Sequence, residues 1–206
     1  MYVPLHAVGS PETYRAIAHL GFTMWTNSYG LAAAGKRAGV AVECLGVGTP
    51  VPIPQTKDKT FDLAWIPGNR WGAWAERVVK RLPEASALRI DPIDSVYWLS
   101  EALAPARILV FPSRIEGTSR IAREARMVGT IPAMLNTNPF VTPDDYGKGV
   151  LLSPDLRAMT DQVRRLLARP RRLAKLGKEA VVSSRDQTDW TRFVGRVASA
   201  MAGAAG

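Results

Sequence analysis

The chain has 206 residues, 47% of them hydrophobic and 22% charged, a balance that excludes a disordered or fibrous protein and fits one large domain, or one domain with appendages. A single cysteine, Cys44, excludes an internal disulfide and fits a reducing compartment, and without clustered Cys and His ligands (the histidines are His6 and His19) a structural zinc site is not expected. The formal net charge of +9 attracts an anionic partner: nucleic acid, a diphosphate-bearing substrate or an anionic membrane surface. No secretory signal and no long apolar span is present, so a cytoplasmic location is expected, with peripheral membrane docking as the alternative.

In chain order, Ser10-Pro11-Glu12 reads as a helix entry, with Ser10 as N-cap and proline at N1, and a short helix over 12–19 stops at Gly21. A strand is predicted over 22–26, then a turn at Asn27-Ser28-Tyr29-Gly30. An Ala-rich helix over 31–38 ends at Gly39, and a strand over 40–45 follows. Residues 46–54 are Gly- and Pro-rich loop, and 55–60 a polar linker. The next strand, 61–66, runs into Pro67-Gly68-Asn69-Arg70-Trp71-Gly72, which opens a helix over 73–82. A loop so placed can offer backbone amides and Arg70 to a phosphate, or Arg70 is only a surface charge. Trp71 and Trp74 share a helix face. Packing is their expected role and base stacking the alternative. A short strand over 87–90 precedes a helix over 95–104, with Asp94 as N-cap and Val96, Leu99 and Leu103 as its apolar stripe.

The centre of the sequence is 108–132. Ile108-Leu109-Val110-Phe111 is short and β-branched enough for a buried strand, which Pro112-Ser113 ends. A polar turn over 113–117 leads into a helix from Thr118, with Ile121, Ala122, Ala125 and Val128 on one stripe. Gly129 is its C′ residue, and a strand over 131–135 follows. This is one βαβ unit. The free amides at the start of its helix, with the helix dipole, suit a phosphate or diphosphate. Gly117 allows close approach, and Thr118 and Ser119 add hydroxyls. Glu116 and Glu124 can accept sugar hydroxyls there, or they are a solvated loop acid and a partner for Arg120 or Arg123.

Beyond this unit, the loop 136–142 leaves the carboxyl end of a strand, the edge where α/β folds place ligands. A last strand is read over 150–152. Ser153-Pro154-Asp155 starts a helix with Leu156, Met159, Val163, Leu166 and Leu167 inward. Pro170 begins another, and Asp189-Trp190 a final one with Trp190, Phe193, Val194 and Val197 on one face. The basic residues clustered over 157–178 make a solvated helix face or an anion-binding one. There is no Walker-type loop and no Gly-x-Ser-x-Gly elbow.

The residues Pro112-Ser113-Arg114-Ile115-Glu116-Gly117, Glu124-Ala125 and Gly129-Thr130-Ile131-Pro132 resemble the donor-site signature of the family-4 retaining glycosyltransferases, which have the two-domain GT-B architecture. The resemblance covers most of the chain. Tyr2-Val3-Pro4, 25–30 and Gly46-Val47-Gly48 resemble the segment where the first GT-B domain closes and the second begins. Leu45 and Gly48 stand where the family usually has His and Asp, and most of the first domain has no counterpart upstream. The resemblance implies a single Rossmann-like α/β domain with a parallel sheet, the C-terminal half of a GT-B fold, plus a helical tail. It divides the chain into a remnant of the preceding domain (1–39), the nucleotide-sugar-binding domain (40–185) and a crossing helix (186–206).

By the same resemblance, Glu116 lies at the donor sugar and Arg70 neutralises the diphosphate, as the catalytic pair. Gly117, Thr118, Ser119, Gly68 and Ser113 bind the donor, and Glu124 holds the ribose hydroxyls. The family places a Lys where Trp71 stands, so one cation is left where two are usual. No metal or cofactor is implied. The substrate is a UDP- or GDP-sugar, the acceptor is unknown, and a second chain or dimer mate would supply the acceptor domain. The expected function is a hexosyltransferase. The alternative is a non-catalytic nucleotide-sugar-binding module, with nucleic-acid binding the less favoured reading.

Overall fold

A computed structural model of the chain describes residues 2–4, 11–20, 23–46, 48, 58–91, 96–114, 119–137 and 143–203. Among these residues two parallel sheets form. In the first, β1 (Tyr2–Pro4), β2 (Thr23–Thr26) and β3 (Val42–Cys44) lie in the order β1-β2-β3. The second contains β4 (Phe61–Trp65), β5 (Ala87–Arg89), β6 (Ala106–Val110), β7 (Ile131–Leu135) and β8 (Leu151–Ser153), in the order β5-β4-β6-β7-β8. The first sheet carries helices α1 (Pro11–His19) and α2 (Tyr29–Arg37). The second carries α3 (Gly72–Val79), α4 (Val96–Leu103), α5 (Arg120–Met127), α6 (Pro143–Tyr146) and α7 (Leu156–Leu167). The tail is α8 (Pro170–Thr188) and α9 (Trp190–Gly203).

The expected Rossmann-like parallel sheet is present. Its apolar run at 108–111 is continuous because both faces are covered, as parallel sheets require. Successive side chains alternate across the sheet. Leu109 and Phe111 enter one core with Ala122, Ala125 and Met134, while Ile108 and Val110 enter the other with Ala75, Met159 and Val163. Gly129 takes φ +73°, the left-handed C′ geometry expected of it, and packs against Gly177 of α8.

One strand sits elsewhere than the sequence reading put it. The strand read over 40–45 does not open the main sheet; it pairs with β2, with Trp25 opposite Glu43. Val40 and Val42 are buried with Met24, Leu31 and Ala32 beneath α2, so the main sheet begins at Phe61. Apolar alternation marks a buried face but not which sheet supplies the cover.

The strand order of the second sheet decides where ligands fit. From β4 the chain goes to β5 on one side and later to β6 on the other. The connections after β4 and β6 therefore diverge, leaving a crevice beyond their carboxyl ends. The last helix, α9, returns to the first sheet. Arg196 Nε donates to the Leu45 carbonyl at 2.7 Å, and Gly48 lies directly against Trp190 and Phe193.

Candidate functional site

The loop after β4 forms one wall of the crevice. It folds on itself: Trp71 N donates to Asn69 Oδ1 at 2.7 Å, and Gly72 N to the Asn69 carbonyl at 3.0 Å. A Cβ on Gly72 would lie 2.0 Å from the Pro67 carbonyl oxygen, so only glycine fits where α3 begins. Gly68 and Arg70 are left exposed. The Arg70 guanidinium lies 5.9 Å from the Trp71 ring, close enough for a cation–π contact. Trp71 packs on one core and Trp74 on the other, with ring centroids 5.8 Å apart. This is the packing role expected of the pair, and it closes the end of the sheet.

The other wall follows β6. Ser113 is fully buried, and its N–H donates to the Phe111 carbonyl at 2.8 Å. Arg114 is exposed and reaches across to α3, its guanidinium 5.2 Å from the Trp74 ring. The sequence reading gave it no role. Three predicted site residues, Glu116, Gly117 and Thr118, lie outside the described residues. Ser119 is the N-cap of α5, its Oγ accepting from Ala122 N at 3.5 Å. Its own amide was expected to face a diphosphate. It donates instead to Tyr146 Oη at 2.7 Å, because that phenol is buried against the start of the helix.

Helix α5 carries an unusual load of buried charge. Glu124 is 5% exposed; one carboxylate oxygen accepts from Arg120 Nε at 2.5 Å. It is therefore a partner of Arg120, but not on the surface. Burial pushes its carboxyl above the ordinary range, against the lowering pull of Arg120 and Arg123. Arg123 is also buried, and loss of solvent brings its guanidinium down to about 10, with Tyr146 and Glu124 opposing that shift. At about 10, the Arg123 guanidinium stays charged at neutral pH. Among the described residues, the buried side-chain atoms without a hydrogen-bond partner are Ser113 Oγ, Arg123 Nε, Glu124 Oε2 and Arg126 Nε. All four belong to the segment that follows β6.

Sequence reasoning missed α6. Its signal is Pro143-Asp144-Asp145, a helix-opening pattern. Asp145 accepts from Tyr29 N at 2.6 Å and Gly30 N at 3.3 Å, the open amides of α2. Among the described residues no group of three His, Cys, Asp or Glu side chains could hold a metal ion, and no helix is long and apolar enough to cross a membrane.

No protein-family model and no curated protein sequence matches the chain. Solved structures do. HepE (Alr3699) of Anabaena in complex with UDP matches with a TM-score of 0.75 at 14% identity, over 98% of this chain and 72% of that one. Sucrose-phosphate synthase of Thermosynechococcus elongatus matches at 0.70 and 16% identity, over 88% of this chain and 59% of that one. The GtfA/B complex matches at 0.76 and 11% identity, over 98% and 52%. At such identities the likeness shows the fold alone: an α/β, Rossmann-like GT-B half domain with a helical tail. The chain spans about half to three quarters of the length of each.

Proposed function

We propose that this chain is the donor half of a glycosyltransferase, binding a nucleoside-diphosphate sugar in the crevice beyond β4 and β6. The observation that carries the reading is Glu124 Oε2, a buried carboxylate oxygen with no hydrogen-bond partner among the described residues, on the helix that rises from the sheet's switch point. A buried acceptor costs free energy unless a donor reaches it, and vicinal ribose hydroxyls are such donors. Ser113 Oγ, buried on the same wall and without a partner among the described residues, can add a contact. UDP is the favoured nucleotide, because HepE was solved with UDP.

In the transfer, the bond between the anomeric carbon and the diphosphate oxygen breaks, and its electron pair leaves with the diphosphate. Arg70 and the backbone amides of Gly117 and Thr118 would neutralise that charge. Gly68 would let the loop approach the phosphates, Glu116 would orient the sugar, and the acceptor hydroxyl would attack with retention at the anomeric carbon, its proton passing to the departing diphosphate oxygen. A second chain or dimer mate would complete the acceptor side. A hexose is the favoured sugar. One observation favours a second reading, a module that binds without transfer: Trp71 occupies the place where a second cation is expected, and it is committed to packing.

The test is calorimetric titration with UDP, UDP-glucose and GDP, followed by a sugar-nucleotide hydrolysis assay on the wild type, Glu116→Ala and Glu124→Ala. The donor reading expects UDP binding that Glu124→Ala weakens, and turnover that Glu116→Ala removes. Binding without turnover would favour the module, and absence of nucleotide binding would refute both.

A further inference from the structure

We propose that Tyr146 is a positioning residue for the nucleotide site, and that Asp145 beside it links the position of that site to the amino-terminal sheet. The inference rests on the donor-site reading above. Tyr146 is fully buried, and its phenol oxygen accepts the Ser119 amide at 2.7 Å. That bond fixes where α5 starts, and so fixes the direction of its first turn and the place of Glu124 further along.

The ring itself cannot drift. The guanidinium of Arg126, a fully buried side chain, lies 5.9 Å from the ring centroid. Arg126 is anchored in turn to α8, donating to Gln187 Oε1 at 2.8 Å and Ser183 Oγ at 2.6 Å. A displaced phenol would leave the anchored arginine's charge without its aromatic neighbour.

The adjacent residue reaches a different body. Asp145 is 5% exposed and its carboxylate holds the amides of Tyr29 and Gly30 at the start of α2. Those amides have no partner within the helix, and negative charge there is favoured by the helix dipole. Ser28 caps the same turn through Leu31 N at 3.1 Å. Two consecutive residues thus join the starts of two helices, one on each sheet. A shift of α2 relative to the main sheet pulls on Asp145, and through one peptide unit on Tyr146 and Ser119. By linkage, a ligand that fixes the start of α5 must also steady α2.

The experiment is UDP titration of the wild type and Tyr146→Phe, with amide exchange followed at Ser119, Tyr29 and Gly30 with and without UDP. Phenylalanine keeps the ring over Arg126 and removes the hydroxyl that accepts the Ser119 amide. UDP affinity should fall about tenfold, the size of one lost buried hydrogen bond. Ser119 should exchange at least about tenfold faster. In the wild type UDP should slow exchange at Tyr29 and Gly30, and in Tyr146→Phe that response should vanish; a merely structural tyrosine would not produce it. If the wild type binds no UDP, the donor reading and this inference fall together. If it binds, and Tyr146→Phe binds equally well or leaves Ser119 exchange unchanged, this inference falls and the donor reading stands. Should Tyr146→Phe not fold, Asp145→Asn carries the test: UDP-induced protection at Tyr29 and Gly30 should shrink, and its full persistence would overturn the link.

Discussion

The two ends of the five-stranded sheet treat their polar groups in opposite ways. At the amino end, Lys59 Nζ donates to the carbonyls of Ala104 at 2.7 Å and Val128 at 2.8 Å, and to Thr130 Oγ1 at 3.0 Å. The Thr130 hydroxyl lies 2.8 and 2.9 Å from the carbonyls of Leu103 and Ala106. The ends of α4 and α5 are thereby tied to the starts of β6 and β7, and these groups are satisfied from within the chain. At the carboxyl end Ser113 Oγ, and along α5 Arg123 Nε and Glu124 Oε2, are buried without partners among the described residues, and Arg126 Nε in the last turn of that helix is the one such atom toward the amino end. Satisfied groups hold a fold together. Buried groups left waiting are where a fold expects company.

This contrast can be broken or sharpened by substitution. The largest effect is expected from Gly72→Ala, whose methyl would meet the Pro67 carbonyl oxygen at 2.0 Å. The loop after β4 would have to unfold, at a cost of about 4 kcal/mol, which a urea melt would show as a collapse of the transition midpoint. A Gly72→Ala protein as stable as the wild type would mean the loop is softer than its contacts indicate.

Glu124→Gln separates function from stability. UDP affinity should fall about 100-fold, or about 2.7 kcal/mol, because an amide accepts ribose hydroxyls less well than a carboxylate. The thermal midpoint of the free protein should hold or rise, since burial disfavours the charged carboxyl. The folded state takes up a proton at higher pH than the unfolded chain does. Wild-type stability is therefore gained as pH falls through the raised value toward 4.5, and the gap to Glu124→Gln should close over that range. A gap that widens on acidification would contradict the burial.

Lys59→Met is the converse. It should cost about 2 kcal/mol of stability, from carbonyls left without their ammonium donor. UDP affinity should be unchanged within about twofold, and a large loss would show that the two ends are not separable. The same lysine gives a smaller, pH-dependent signature. Burial, then the nearby Arg107, lowers its ammonium from 10.5 to about 8. Between those values the unfolded chain binds more protons, so stability rises with pH. Urea midpoints at pH 7.5 and 9.5 should show the wild type gaining on Lys59→Met, and a loss would reverse the sign.

The smallest effect is expected on the helical face, where Arg165, Arg169 and Arg172 line a shallow cavity of about 330 Å³ with Leu166 and Leu176. Replacing the three by Gln should change stability and UDP affinity by less than about 0.5 kcal/mol, because exposed charges away from the crevice contribute little. A larger loss of UDP affinity would place part of the ligand on this face.

Much of the architecture was legible before any coordinates. The run 108–111, the helix stripe through Ala122 and Ala125 and the glycine at 129 identify a buried strand, a helix and its stop, because period and backbone chemistry are local properties. The loop 67–72 was visible as a place for a backbone turn before a helix. The short helix at 143–146 was not, since one turn has no period to read. The partner of β3 was not either, since pairing is chosen by bodies distant in sequence.

By itself, the sequence determined the alternation of strands and helices, the two carboxylates at their spacing and the excess of positive charge. Only the tertiary structure decided that Glu124 is buried with one oxygen unpartnered among the described residues, that the Ser119 amide is spent on Tyr146, and that Asp145 joins the second sheet to the first. The reason is physical. A residue's intrinsic conformational preference travels with its near neighbours, but burial and hydrogen-bond satisfaction depend on groups from other elements, which meet only when the chain closes.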